Sequence, residues 1–485
     1  MKAVSHQLFL LFLLSAALSS CVKESDKIDT KDYPEVVGKI IRGRCATSGC
    51  HNDASYDAAG GLNLSTWEDL FKGTRTGASV IPYRADYSPF LYFVNTYADL
   101  GPVNVPTMPY GKAALSRDEV IQLRDWINQG APNSDGFVKF SDNPNRSKFY
   151  VAHTACGVVA VFDAATRLPM RYITVVKNGE QCTPHLVRIS PDGKYWYVCF
   201  NSGGAYLRRY NTSDDSFAGE LLLGTGEWNT FAITPDSKKA FVIDWSQNGK
   251  IATCDLQNMI LSDTTKYQYY PHGSAVSPNG NFLYVTATQG NFLYKITISD
   301  GSVDWVALTG STGIPGQPSN TFNPHDIIFS PDGSKYYVSC QTEHTVRVFD
   351  AVTDDLITTI AIDGSTLEMS ISPTKNLMFV SSWDSPHFAG VVGAVAVIDI
   401  TTNTLNAATP YINAGTQPHG IAVDEARGQV YVANRNIDVT GPLPHHSSVC
   451  GGRNGYITYI DLNSLQLRSG KTEISVDPYS IALRP

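Results

Sequence analysis

The sequence is poor in charged residues and has few long apolar runs, and each shortage excludes a class of protein. Only 17% of its 485 residues are charged, with 37 basic against 45 acidic side chains and a formal net charge of −8. Because no basic run is present, the sequence argues against nucleic acid as a partner. Beyond the first 20 residues no apolar run is long enough to cross a bilayer, which excludes a multi-spanning membrane protein.

The N-terminus has the features of an export signal. A basic start is followed by an apolar run over 8–14, which is too short to span a membrane. Residues 18–21 resemble a bacterial lipobox, in which small residues precede the cleavage site and Cys21 takes the lipid. We therefore expect a signal peptide over 1–20, a polar tether over 21–33, and an extracytoplasmic protein held on a bacterial membrane by a lipid anchor.

Two cysteines and a histidine stand together at Cys45, Cys50 and His51, with four residues between the cysteines. Thiols in such a motif add to the vinyl groups of haem, and the adjacent histidine is placed to ligate the iron. The motif resembles that of a c-type cytochrome with a longer spacer than the usual two residues, and the resemblance implies a covalent haem c. The alternative is a local disulfide between the two cysteines, which export would permit.

Met108 is the one methionine between this motif and residue 147. The sequence after it predicts a helix that Ser116 and Glu119 cap and that Gly130 ends. This order of methionine, helix and glycine resembles the terminal half of small c-type cytochromes, and it implies that Met108 is the sixth iron ligand. A thioether opposite histidine favours reduced iron. We expect a small all-α cytochrome c domain over 34–133.

From residue 147 onward the chain repeats an apolar strand, a turn of the Ser-Pro-Asp-Gly type and an aromatic strand. The turns fall at Pro191, Pro235, Pro278, Pro331 and Pro373, with a degenerate copy near Glu425 and a last one at Pro485. Seven such markers predict an all-β seven-bladed propeller over 147–485, preceded by a polar linker over 134–146. The repeat resembles the YVTN family of β-propellers.

The two ends of this region predict how the ring closes. Residues 148–175 offer three strands with no Ser-Pro-Asp-Gly turn ahead of them, and residues 479–483 form a first strand without successors. Joined together they make one whole blade, so we expect the C-terminal strand to pair with the N-terminal three and leave no open sheet edge.

The propeller histidines map to one face of the disc. Four of them follow a proline at the start of an innermost strand, and a vicinal pair lies in a long insertion over 436–455; these six are His185, His272, His325, His419, His445 and His446. Imidazoles without a matching carboxylate cluster favour copper or haem iron. The sequence therefore suggests an axial site for copper or a second haem, although a structural role, with each ring bonded to backbone, is the alternative.

This histidine pattern resembles the propellers of nitrous-oxide reductase and thiocyanate dehydrogenase, which hold copper on the axis. It is less similar to the d-type haem nitrite reductases, whose eight blades differ from the seven expected here. The resemblance implies an oxidoreductase that acts on a small-molecule substrate at the axis and exchanges electrons with the c-haem. An electron-transfer protein whose propeller only docks a redox partner protein is the alternative, and a binding module without haem is a third.

Six further cysteines lie in the propeller, and export makes disulfides the default for them. Three of them fall in loops on the histidine face, and the set is Cys156, Cys182, Cys199, Cys254, Cys340 and Cys450. The sequence leaves their pairing open.

Overall fold

The computed structural model describes residues 28–177, 179–309 and 319–484. The expected signal peptide, most of the tether and Cys21 lie outside these residues. Within the described part of the chain, no helix is both long and apolar enough to span a bilayer.

The N-terminal residues 28–146, here called the helical unit, contain short helices joined by long connections. These helices are α1 (Glu35–Ile40), which continues into a π-helical turn (Ile41–Cys45), then α2 (Trp67–Leu70), α3 (Pro89–Val94) and α4 (Arg117–Asn128). The predicted capping box of α4 is present: the Ser116 hydroxyl accepts from the Glu119 amide, and the Glu119 carboxylate accepts from the Ser116 amide. Gly130 follows with a φ of 102°, as expected for a residue that ends a helix.

The rest of the described chain folds into seven antiparallel sheets, the blades of a β-propeller. From the innermost strand outward, blade 1 consists of β29 (Pro478–Arg484), β1 (Lys148–His153), β2 (Val158–Asp163) and β3 (Leu168–Thr174). Blade 2 consists of β4 (Thr183–Ile189), β5 (Tyr195–Asn201), β6 (Tyr206–Asn211) and β7 (Phe217–Leu222), and blade 3 consists of β8 (Trp228–Ile233), β9 (Lys239–Asp244), β10 (Lys250–Asp255) and β11 (Ile260–Lys266). Blade 4 consists of β12 (Pro271–Val276), β13 (Phe282–Ala287), β14 (Phe292–Thr297) and β15 (Val303–Ala307). Blade 5 consists of β16 (Pro324–Phe329), β17 (Lys335–Cys340), β18 (Thr345–Asp350) and β19 (Leu356–Ala361). Blade 6 consists of β20 (Thr366–Ser372), β21 (Leu377–Ser382), β22 (Ala394–Asp399) and β23 (Thr404–Leu405), with β24 (Tyr411–Ile412) also paired to β22. Blade 7 consists of β25 (Pro418–Asp424), β26 (Gln429–Asn434), β27 (Asn454–Asp461) and β28 (Thr472–Val476).

The ring closes as predicted. The C-terminal strand β29 pairs antiparallel with β1, with Tyr150 opposite Ala482. The innermost strands contact one another in the order β29, β4, β8, β12, β16, β20, β25 and back to β29. Closure therefore joins the two ends of the propeller chain in one blade, and the inner edge of each blade is covered by its neighbours.

The repeated turn has a chemical basis that explains why the sequence predicts it so well. In the second blade the Ser190 hydroxyl donates to the Asp192 carboxylate at 2.6 Å and accepts from the Tyr195 amide at 3.1 Å. Gly193 has a φ of 71°, a left-handed conformation that glycine adopts without strain. The same arrangement recurs in the fifth blade, where Ser330 donates to Asp332 at 2.6 Å.

The helical unit packs on the propeller and shares its core. Buried side chains of the unit form one continuous apolar cluster with residues of the first two blades, including Tyr150 and Trp196. Tyr87 stacks on Tyr172 of β3 with ring centroids 4.4 Å apart, and Arg84 donates to the Tyr172 carbonyl at 2.7 Å. This contact places the helical unit over blade 1, the blade that closes the ring.

A buried ion pair fixes blade 1 against blade 2. Lys148 Nζ lies 2.7 Å from the Asp215 carboxylate, and both side chains are only 2% exposed. The Tyr150 hydroxyl donates to the second Asp215 oxygen at 3.0 Å. Because Lys148 and Asp215 neutralise each other's charge, removal of either side chain leaves the other as an uncompensated charge in the core.

We expect Asp215→Ala to lower the free energy of unfolding by about 3–5 kcal/mol, because Lys148 then stays buried without its counter-charge. Urea unfolding followed by circular dichroism measures this change. The exposed neighbour Asp214 provides a matched control, and Asp214→Ala is expected to cost less than about 1 kcal/mol. Equal losses in the two variants would contradict the prediction.

Candidate functional site

A cavity of about 700 Å³ lies between the helical unit and the propeller. Cys45, Cys50, His51 and Met108 all line it, although Met108 is far from the other three in the sequence. Its volume falls in the range of about 300–1,000 Å³ that is typical of cofactor and ligand sites. The structure thus brings the four residues predicted to hold haem together at one cavity.

Local backbone contacts position these residues. Cys45 ends the π-helical turn after α1, and the His51 amide returns to donate to the Cys45 carbonyl at 3.2 Å, which closes the loop between them. Met108 is held by α3, because its amide donates to the carbonyl of Phe93 at 2.7 Å.

His51 forms a hydrogen bond through one of its two ring nitrogens. Its Nδ1–H donates to the Leu62 carbonyl at 3.0 Å, which leaves Nε2 as the free nitrogen. Burial lowers the pKa of His51, although the bond to Leu62 partly opposes the shift. The ring is therefore neutral at pH 7, the form that binds a metal.

The two cysteines of the motif are free thiols in the structure, and no disulfide joins them. Cys45 is buried, and burial raises the pKa of its thiol to about 12. Buried apolar residues surround the motif, among them Leu64, Ile81 and Phe90. Two thiols, a neutral imidazole and a thioether around an apolar cavity of this size fit a haem attached through thioether bonds.

His445 and His446 do not join the axial histidines with which the sequence groups them. They line the large cavity instead. The His446 ring centroid lies 5.7 Å from that of Tyr92, and the His445 centroid lies 5.3 Å from that of Phe93. The insertion between β26 and β27 therefore reaches out from the propeller to the helical unit.

The other four histidines do meet at the propeller axis. Neighbouring ring centroids are 6.1 Å apart from His185 to His272, 4.4 Å from His272 to His325 and 6.0 Å from His325 to His419. Three of the rings donate through Nδ1 to backbone carbonyls, those of Asn229, His325 and Tyr479, at 2.8, 2.9 and 3.0 Å. Hydrogen bonds of this kind leave Nε2 available to a ligand, and they are also the bonds that a structural role would require.

Burial keeps these four imidazoles neutral. It lowers the pKa of His272 to about 4 and that of His419 to about 3, and it holds the pKa values of His185 and His325 well below the usual range, where neighbouring histidines add to the effect. Among the residues that the structure describes, His325 Nδ1 is buried without a hydrogen-bond partner.

The sequence interpretation missed two carboxylates that line the same axial space, Asp326 and Glu368. Burial raises the pKa of each to about 7, while the nearby Arg188 works in the opposite direction. A Glu368 oxygen lies 3.6 Å from His419 Nδ1. The premise that the axial imidazoles lack carboxylate neighbours is therefore wrong.

The axial space is small. Its volume is about 20 Å³, enough for roughly one water-sized group, so a second haem does not fit there. In residues 28–177, 179–309 and 319–484 no group of three or more histidine, cysteine, aspartate or glutamate side chains is arranged to hold a metal ion. A metal at the axis would therefore require the rings to shift.

One disulfide is present among the described cysteines, and it joins Cys156 to Cys450. Cys156 follows β1 and Cys450 lies in the insertion that carries His445 and His446. The sequence leaves this pairing open because the two residues are 294 positions apart.

Comparison with known proteins adds evidence on the fold alone. No family model matches the sequence, and no curated protein matches it significantly. A functionally unknown protein from Desulfotomaculum acetoxidans is similar in structure, with a TM-score of 0.54 and 14% identity over 69% of this chain and 98% of that one. Hydrazine synthase from Kuenenia stuttgartiensis gives a TM-score of 0.49 and 17% identity over 63% of this chain and 91% of that one, a similarity too low to support an argument.

Proposed function

We propose that this chain is a redox protein that carries one covalent haem c. Cys45 and Cys50 would attach the haem, and His51 and Met108 would ligate its iron. The observation that carries the proposal is that all four side chains line one 700 Å³ cavity. The bound haem would supply a one-electron Fe(III)/Fe(II) couple.

The residues around the cavity fit this role. The bond from His51 to Leu62 fixes the ring and its tautomer, which strengthens a histidine ligand. Met108 offers a thioether sulfur and the cavity wall is mostly apolar, and both would favour the reduced iron with its lower charge. The chain would thereby hold the haem at a raised reduction potential.

We also propose that the protein works outside the cytoplasm on a lipid anchor. The signal-like residues 1–20 and the lipobox-like segment that ends at Cys21 support this location. The disulfide between Cys156 and Cys450 is consistent with an oxidising compartment. The cytochrome c domain over 34–133 would then lie between the lipid anchor and the propeller in the chain. A redox partner protein outside the cytoplasm would exchange electrons with the haem of this domain.

The axial histidines support a second candidate function. Three of the rings bond to backbone carbonyls through Nδ1, so their Nε2 atoms would be the ligands for copper or another metal once the rings shift toward one another. A small substrate would then react at the axis and exchange electrons with the haem, as in an oxidoreductase. If the four histidines are structural, the propeller serves electron transfer only as a platform for a partner.

One experiment tests both candidates. Protein made in a host with the cytochrome c maturation system is expected to show the absorbance bands of a covalent haem and about one iron per chain. Copper in a similar amount would support the axial redox site, and its absence after loading with copper salt would leave the electron-transfer function. Protein that folds and stays free of covalent haem would overturn the proposal.

A further inference from the structure

The large cavity has a second wall, and that wall belongs to the propeller. The segment over 435–453, here called the insertion loop, joins the end of β26 to the start of β27. Its residues 445–449 line the same cavity as Cys45, Cys50 and His51. The helical unit alone therefore encloses only part of the proposed haem site.

Glu473 of β28 holds the loop in this position. Its side chain is only 7% exposed and accepts hydrogen bonds from the backbone amides of His445 and His446, at 2.8 and 3.3 Å. The Glu473 amide in turn donates to the Thr76 carbonyl of the helical unit at 2.7 Å. One residue thus ties together the loop, the last blade and the helical unit.

Two further links hold the loop segment that faces the cavity. The Ser447 hydroxyl donates to the Asn104 side chain of the helical unit at 2.7 Å. Cys450 is joined to Cys156, which lies in the turn between β1 and β2 of blade 1. A disulfide restricts the open conformations of the chain it closes, so it favours the closed loop.

The loop also touches the helix that positions Met108. The rings of His446 and His445 pack against Tyr92 and Phe93 of α3, and the Phe93 carbonyl accepts from the Met108 amide. A shift of the loop would therefore change both the covering of the cavity and the packing behind the proposed sixth ligand.

We propose that the insertion loop is the closing wall of the haem site, with His446 as a positioning residue and Cys156–Cys450 as the clamp that keeps the wall shut. This inference rests on the proposed function. It assigns to the propeller a direct part in haem binding. This part is separate from the docking of a redox partner and from a metal site at the propeller axis.

The test uses full-length haem-loaded protein, reduced with ascorbate so that the disulfide stays intact. Carbon monoxide is the probe; because it has to displace Met108 from the iron, its rate of binding reports how readily the wall opens and the thioether is released. His446→Ala and Cys450→Ser are each expected to raise this rate about ten-fold, equivalent to roughly 1.4 kcal/mol of closing free energy. Both should also lower the reduction potential, because water that enters the cavity stabilises the more highly charged ferric haem.

His387→Ala is the matched control. His387 lies in the corresponding loop of the neighbouring blade, between β21 and β22, and its Nδ1 bonds to the Asp363 carboxylate at 2.7 Å. It does not line the cavity, so its replacement should leave the carbon monoxide rate and the potential unchanged.

The outcomes separate this inference from the proposed function. If wild-type protein holds no covalent haem, the proposed function itself fails. If wild-type protein holds haem but both loop variants bind carbon monoxide at the wild-type rate, the haem site is complete without the propeller and the inference is overturned. Should His446→Ala fail to fold, Cys450→Ser, which removes the disulfide at an exposed residue, decides the question alone.

Discussion

Replacing Cys45 and Cys50 together by alanine is expected to remove all covalent haem from the protein. A thioether bond needs a thiol on the protein, and within the cavity these are the two thiols beside His51. Haem held only by His51 and Met108 would leave the chain on denaturation. The measurement is haem absorbance that stays with the denatured polypeptide on a gel, compared with wild-type protein made in the same maturation host.

Two further variants show that the loss is specific. Cys182→Ala alters a partly buried free cysteine of the propeller that lies outside the cavity, and it should keep the wild-type haem content. Met108→Ala should also keep the covalent haem but lower its reduction potential, because the thioether ligand that favours ferrous iron is gone. Haem that remains covalently bound in the double cysteine variant would disprove the assignment of the motif.

The propeller could be predicted in detail because its main signals are local. A turn such as Ser190-Pro191-Asp192-Gly193 is held by hydrogen bonds among its own residues and needs a glycine with positive φ. The three strands at the start of the repeat and the single strand at its end each formed an incomplete blade, which predicted that they pair. The structure has this pairing, between β29 and β1. Short-range chemistry of this kind is visible in a single sequence.

The cavity residues were partly predictable for a different reason. Cys45, Cys50 and His51 form a motif, and Met108 stands just before a well-signalled helix. The position of His446 was not predictable, because a repeat pattern gives the face of the disc on which a loop lies but not the path of a long insertion. Tertiary contacts with Glu473, together with the disulfide at Cys450, set that path.

The axial carboxylates were missed because the inner strands are irregular where they begin. Simple alternation would place the neighbours His325 and Asp326 on opposite faces of β16. Instead the register shifts between Pro324 and Asp326, and a similar shift lies between Thr366 and Met369, around Glu368. Bulges of this kind re-aim side chains, so a period of two does not tell which residues face the axis.

The effect of Glu368→Gln on the free energy of unfolding is expected to become more stabilising as the pH rises. Burial raises the pKa of Glu368 from its ordinary value of 4.5 to about 7, so folding disfavours the charged form. The stability that the protonated side chain contributes is fully present below about pH 4.5 and is lost as the pH rises through about 7. Glutamine has no proton to lose. In metal-free protein, the unfolding free energy of the variant minus that of the wild type should therefore increase by about 2 kcal/mol between pH 5 and pH 8.

Urea unfolding at several pH values in the presence of a chelator measures this difference. Glu180→Gln is the control, because hydrogen bonds from Arg208 lower the pKa of Glu180 and keep it ionised across this range, so its difference should stay nearly constant. A constant difference for Glu368→Gln would contradict the prediction and would mean that Glu368 is charged inside the folded axis, balanced there by Arg188. If the increase appears without metal and disappears when copper is added, the charge on Glu368 is being stabilised by a bound cation. That result would connect the buried carboxylate to the four histidines and favour a redox site on the axis over a purely structural one.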